Sequence, residues 1–172
     1  MPTRRSPPGP AARCSGGRRC PPCHRRALRR DRHWPAKEDT LNIGERQIVE
    51  VEGLAPPGTS YSHGVVGDGR FLYVAGQVGL GSDRVLIGDD AESQARQAFA
   101  NVRAVLAGAG CDFSSVVKLT TYLTDRADYP AVAKARADFI TAPFPASTAI
   151  VVAGLPDPRY LVEIDAVAVV PR

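Results

Sequence analysis

The amino-acid sequence predicts an α+β domain in which one mixed β-sheet carries two helices on a single face. Three observations support that class. Apolar residues alternate at period two in several short runs rich in β-formers, two other segments repeat them at helical steps, and from about residue 47 onward the order is β β, α, β, α, β β. At 172 residues the chain can bury one core and is too short for two comfortable domains.

The first candidate strand is RQIVEVEG, starting at Arg46, and the APPGTS after it is turn chemistry. YSHGVVGDGRFLYVAGQVGL then reads as a hairpin: Tyr61 to Val66, a Gly67-Asp68-Gly69 turn, and Phe71 to Val78. The clearest helix follows in DDAESQARQAFANVRAVLAGAG. Ala91, Ala95, Ala98, Phe99, Val102, Val105, Leu106 and Ala109 recur at steps of three and four, while Arg96, Asn101 and Arg103 fall off that stripe. Asp89 with Glu92 three residues later resembles a capping box, and Gly108 and Gly110 supply the stop.

SSVVKLTTYLTD is the next strand. Val117, Leu119, Thr121 and Leu123 share one face, with Val116, Lys118, Thr120 and Tyr122 on the other. Asp125 or Asp128 caps a second helix whose first turn holds Pro130, where the missing N–H costs nothing. Its buried side is Val132, Ala135, Phe139 and Ile140. STAIVVAGL and YLVEIDAVAVV close the fold as two strands split by the turn PDPR. In the last of these, Val162, Ile164, Ala166, Ala168 and Val170 oppose Leu161, Glu163, Asp165, Val167 and Val169. Helices cover one sheet face, so the apolar side chains left on the other are expected to meet another subunit.

Charge divides the chain. Residues 1–40 hold 11 Lys/Arg and 3 Asp/Glu, a net +8, whereas the remainder holds 11 and 15, a net −4. The first segment also has 7 of the 15 prolines and 3 of the 4 cysteines, and too few aliphatic side chains to offset the ordering entropy of its backbone. The expected organisation is therefore a disordered Arg/Pro-rich tail, 1–40, and a working domain, 41–172. No apolar run approaches the length of a membrane span, and no h-region of a secretory signal follows the arginines; the domain is expected to be cytoplasmic.

Within the tail, CPPCH at Cys20 to His24 has the spacing of c-type haem attachment. A zinc knuckle from Cys14, Cys20, Cys23 and His24 would also satisfy a tetrahedral ligand count. Haem needs an export signal and normally a second axial ligand, yet the only methionine is Met1. The one-sided cluster matches no complete zinc finger, so a chance Cys pair is the favoured reading. His63 is the only histidine outside the tail and has no ligand-spaced partner. Cys111 follows a helix C-terminus, where the dipole does not activate a thiol. No Ser-His-Asp order and no phosphate-binding glycine loop is present.

YSHGVV, LYVAGQVGL, VVKLTTYLTD, FPAS and VEIDAVAV, in that order, resemble the RidA (YjgF) family over about Tyr61 to Val170. The resemblance implies a RidA/chorismate-mutase-like fold, a homotrimer whose sheets form an inner β-barrel, and ligand clefts between subunits. It implies hydrolysis of 2-imino or enamine acids such as 2-aminoacrylate to the keto acid and ammonia, with no metal and no organic cofactor. Carried over by motif, Glu163 positions the attacking water as the catalytic residue. Tyr61, Gly76, Ser147 and Ala149 are the ligand-binding positions. Ser147 stands in FPAS where deaminating members read an arginine that holds the substrate carboxylate, and the family's cleft asparagine falls on Ala133.

A serine offers one rotatable O–H and no charge, so it is a weak partner for a carboxylate. Losing an electrostatic donor of that kind costs roughly 10² to 10³ in rate. Typical 2-imino acid deamination is therefore in question, unless Lys118 or Arg159 brings a cation from elsewhere or the ligand lacks a carboxylate. Asp165 shares a strand face with Glu163, a spacing at which one carboxylate can raise the pKa of the other. The expected partner is a small metabolite, bound or hydrolysed. A non-catalytic, regulatory binding protein is the first alternative. Nucleic-acid binding or cleavage ranks last, because the domain lacks a basic stripe.

Overall fold

The computed structural model describes residues 46–49, 53–55, 57 and 60–171. The cysteines and both histidines of the tail, and Glu50 to Glu52 of the first expected strand, lie outside the described residues. The elements are β1 (Arg46–Val49), β2 (Gly64–Gly67), β3 (Arg70–Val78), α1 (Ala91–Gly108), β4 (Val116–Leu123), α2 (Tyr129–Ala137), β5 (Ala146–Val151) and β6 (Val162–Val170). Four strands form the main sheet in the order β3-β6-β4-β5. β6 runs antiparallel to both neighbours and β5 runs parallel to β4. A parallel pair cannot be joined by a tight turn, and α2 is the crossover that joins this one. The mixed sheet with two helices is the architecture read from the sequence.

The expected β2–β3 hairpin does not form. β2 pairs with β1, from Arg46↔Gly67 to Val49↔Gly64, while β3 pairs with β6 along its whole length. Gly69, at φ 123°, redirects the chain between the two instead of closing a ladder. The β1–β2 ribbon lies close against the main sheet: a Cβ added to Gly67 would sit 2.5 Å from Val169 Cγ2 and 3.2 Å from Val117 Cγ1. The ribbon thus covers Val117 and Val169 on the face away from the core.

That placement explains a second departure. The β4–β6 register shifts between Val116 and Lys118, a bulge that turns Val116 into the core beside Leu119 and Leu123. Strict alternation had put Val116 on the opposite face. In β6 alternation holds: Val162, Ile164, Ala166 and Ala168 are all buried in the core.

α1 buries Ala95, Ala98, Phe99, Val102 and Leu106 as its stripe predicts, but Val105 is exposed. Its cap is Asp90, one residue later than expected, whose Oδ1 accepts from the Ser93 amide at 2.9 Å. Glu92 is drawn away to ion pairs with Arg96 and Lys134, both at 2.9 Å. The helix ends in a Schellman motif: Gly110 takes φ 72° and the Cys111 amide donates to the Leu106 carbonyl at 2.9 Å. α2 starts with Pro130 in its first turn. Asp125 caps the short 3₁₀ turn before it, accepting from the Ala127 amide at 2.8 Å.

One polar residue on α1 lies wholly inside the core. Gln94 is 0% exposed. Its side-chain amide donates to the Arg159 carbonyl at 3.0 Å and its oxygen accepts from the Leu161 amide at 2.9 Å. It thereby ties α1 to the turn that delivers β6. Gln94→Leu would orphan both backbone groups, at about 1 to 3 kcal/mol each. A thermal melt should show a midpoint lowered by several degrees; an unchanged midpoint would mean that water or a shifted turn satisfies them.

Candidate functional site

The parallel pairing of β4 with β5 sets Leu119 opposite Ser147 and Thr121 opposite Ala149. Leu119 is a core residue, so Ser147 and Ala149 lie on the face that carries α2. The stretch before β2 is clamped to the start of β5: Ser62 bridges Ala146, its amide donates to the Pro145 carbonyl at 3.1 Å, and its hydroxyl donates to the Phe144 carbonyl at 2.7 Å. That clamp delivers Tyr61. α2 brings Val132, Ala133 and Arg136 from the other side, and the result is a pocket of about 210 Å³ between strand edge and helix.

Tyr61, Ser147 and Ala149 therefore line one pocket, with Thr121, Tyr129 and Ser60 completing it. Among the described residues no carboxylate lines it. Arg136 is half-buried and donates from Nη2 to the Ser60 carbonyl. Burial lowers its pKa below the ordinary arginine value, which leaves it charged at neutral pH.

Glu163 and Gly76 lie on the opposite face of the sheet. Thr121 pairs with Ile164, and Tyr122 pairs with Glu163, so Glu163 projects away from the helices. The β3–β6 register shifts between Val74 and Gln77, and the irregularity brings the Gly76 backbone under the Glu163 side chain. A Cβ on Gly76 would lie 1.7 Å from Glu163 Oε1 and 2.6 Å from its Cδ. Gly76→Ala should therefore displace the carboxylate while disturbing little else, because the displaced group is the end of a flexible chain. The expected result is a melting midpoint close to wild type with loss of any Glu163-dependent activity; full activity would show that Glu163 can work from another rotamer.

Asp165 shares the far face of β6 with Glu163. It accepts a hydrogen bond from the Tyr122 hydroxyl at 2.9 Å, and that bond pushes the tyrosine pKa up. Neither Lys118 nor Arg159, the alternative cations, lines the pocket. Lys118, also on the far face, donates to Thr148 Oγ1. Arg159 pairs with Asp157 at 2.7 Å in the PDPR turn and holds that carboxyl down to about 2. His63 contacts the Ala55 carbonyl at 2.8 Å. Cys111 is a buried free thiol. Among the described residues no cluster of His, Cys, Asp or Glu could hold a metal, and no helix is long and apolar enough to cross a membrane.

Sequence reasoning missed Arg136. The available signal was its position: it lies four residues after Val132 and next to Ala135, on the buried stripe of α2 and not on its solvent side. Thr121 and Tyr129 were missed as lining residues because only the β4–β5 register and the crossover bring them together.

The sequence model described as Endoribonuclease L-PSP matches residues 52–170. The chain belongs to the RidA family. Relatives include a protein of Capra hircus named 2-iminobutanoate/2-iminopropanoate deaminase, 40% identical over 126 residues that make up 72% of this chain and 90% of the relative. A RutC family protein of Synechocystis is 37% identical across 73% of this chain and 97% of its own. Among solved structures, a Rid family protein of unknown function from Yersinia pestis superposes with a TM-score of 0.67 at 34% identity, covering 73% of this chain and 98% of the other. RidA from a Psychrobacter species gives 0.56 at 30% identity, with 72% and 98% covered. The RidA fold thus accounts for the β3-β6-β4-β5 sheet and its two helices.

Proposed function

We propose that this RidA-family chain hydrolyses a small 2-imino acid in clefts shared between the subunits of a homotrimer. The observation that carries the reading is the separation of the site residues within one chain. Tyr61, Ser147 and Ala149 line a pocket on the helix side, whereas Glu163 over Gly76 faces the other way. A sheet stands between them, so a complete site needs the carboxylate of a neighbouring subunit. The open sheet face supports such a neighbour: Tyr73 is 75% exposed with Phe71 exposed beside it on β3, and Ile150 is exposed on β5 at the other edge of the sheet. The names of the curated relatives support the substrate class.

In this mechanism the pocket binds the substrate and Glu163 takes a proton from water as the oxygen attacks the C=N carbon. Glu163 passes that proton to the nitrogen, and the resulting carbinolamine loses ammonia as its hydroxyl proton is relayed to the amine, which leaves the 2-keto acid and a deprotonated Glu163. Atoms balance with water as the only co-reactant. Ser147 contributes a neutral hydroxyl, so the carboxylate must be held by another group. The test is keto-acid release from freshly generated 2-iminopropanoate and 2-iminobutanoate by the full chain, compared with buffer. Acceleration is the expected result. Keto-acid binding without acceleration would replace hydrolysis by a non-catalytic binding role, which the missing charge at Ser147 favours as the second reading.

A further inference from the structure

We propose that Arg136, on α2, is the cation that holds a carboxylate in the pocket lined by Tyr61, Thr121 and Ser147. The inference rests on the reading of that pocket as a metabolite site and names the group that selects its ligand. A guanidinium on the buried stripe of a helix costs desolvation free energy, and no ion pair among the described residues returns it. The ion pairs among the described residues join Arg96 to Glu92 and Asp138, Lys134 to Glu92 and Arg159 to Asp157, and none includes Arg136.

Among the described residues one neutral acceptor, the Ser60 carbonyl, uses one of its N–H groups. Among the described residues no buried side-chain nitrogen or oxygen lacks a partner, and Arg136 lines the pocket beside Ser147 and Tyr61. The other polar lining groups include the hydroxyls of Tyr61, Thr121, Tyr129 and Ser147, each able to donate. A cation with surrounding donors and no acid nearby is complementary to a monoanion, and a planar guanidinium matches a carboxylate through two parallel bonds. The pocket, at about 210 Å³, is smaller than the roughly 300 to 1,000 Å³ of sites for drug-sized ligands. A short acid fits the part of the shared cleft that one chain contributes.

The experiment uses the full chain and two probes, 2-oxobutanoate and its uncharged analogue 2-oxobutanamide, with binding followed by titration calorimetry. The wild type should prefer the acid, and Arg136→Gln should weaken acid binding about ten- to hundredfold with the amide changed less than about twofold. Arg136→Lys should keep part of the preference, because a point charge remains. Loss of the tie to Ser60 alone would weaken both probes equally and would overturn the proposal. Ala133→Glu is a second variant that keeps Arg136 in place: the new carboxylate, three residues earlier on the same helix, should occupy the guanidinium and abolish acid binding. Retained acid preference in Ala133→Glu or Arg136→Gln, or none in the wild type, overturns the assignment. Imine turnover is measured in parallel. A wild type that binds the acid through Arg136 without accelerating hydrolysis leaves the assignment standing and removes the catalytic reading. Turnover unaffected by Arg136→Gln does the reverse.

Discussion

Glu163→Gln should lower the rate of imine hydrolysis by about 10² to 10⁴-fold, the range that a positioned general base contributes, while the protein melts close to the wild-type temperature. Glutamine keeps the shape of the side chain and one accepting oxygen, so it can still lie over Gly76 and still orient water. What it loses is the ability to take the proton as the C–O bond forms. The stability expectation follows from position: Glu163 faces away from the core, between the buried Val162 and Ile164 on the same strand, and makes no ion pair among the described residues. Steady-state kinetics should place the loss in kcat with KM little changed, because substrate is held by the pocket on another subunit. A rate within about threefold of wild type would remove Glu163 from the mechanism.

The second large effect comes from mixing two inactive proteins. Glu163→Gln leaves the Tyr61/Ser147 pocket intact, and Ala149→Trp fills that pocket while leaving Glu163 and Gly76 untouched. Each alone should be nearly silent. Denatured together at equal amounts and refolded, they should recover about a quarter of wild-type activity, because random assembly pairs an intact pocket with an intact neighbouring carboxylate in roughly that fraction of shared clefts. The measurement is keto-acid release before and after co-refolding, with light scattering to establish a trimer. No recovery from well-assembled mixed trimers would mean that each chain builds its own site, and the separation of Glu163 from the pocket would then need a different explanation.

The pattern of elements was legible in the sequence because it rests on local periodicity. The β6 alternation from Val162 to Ala168 survives because helices bury one face of that strand along its length. The α1 stripe survives, except at Val105, for the same reason. Motif order also carried the RidA resemblance, and with it Tyr61, Gly76, Ser147, Ala149 and Glu163 as the expected site positions. Local reading failed where a distant segment decides the outcome. β2 leaves its expected hairpin because β6 offers β3 a longer ladder and β1 is available as a partner. Val116 turns inward because a bulge absorbs one residue of β4, and no periodicity announces which residue that is.

By itself, then, the sequence determined the fold class, the order of its elements, the family and the chemical character of the site residues, since composition, spacing and motif are one-dimensional properties. Only the tertiary structure decided how those residues divide in space. The β4–β5 and β4–β6 registers put Ser147 and Glu163 on opposite faces of one sheet, and a one-residue change of register reverses a face. The α2 crossover, in the same way, swings Arg136 into a pocket whose other lining groups lie at sequence distances that no local pattern relates.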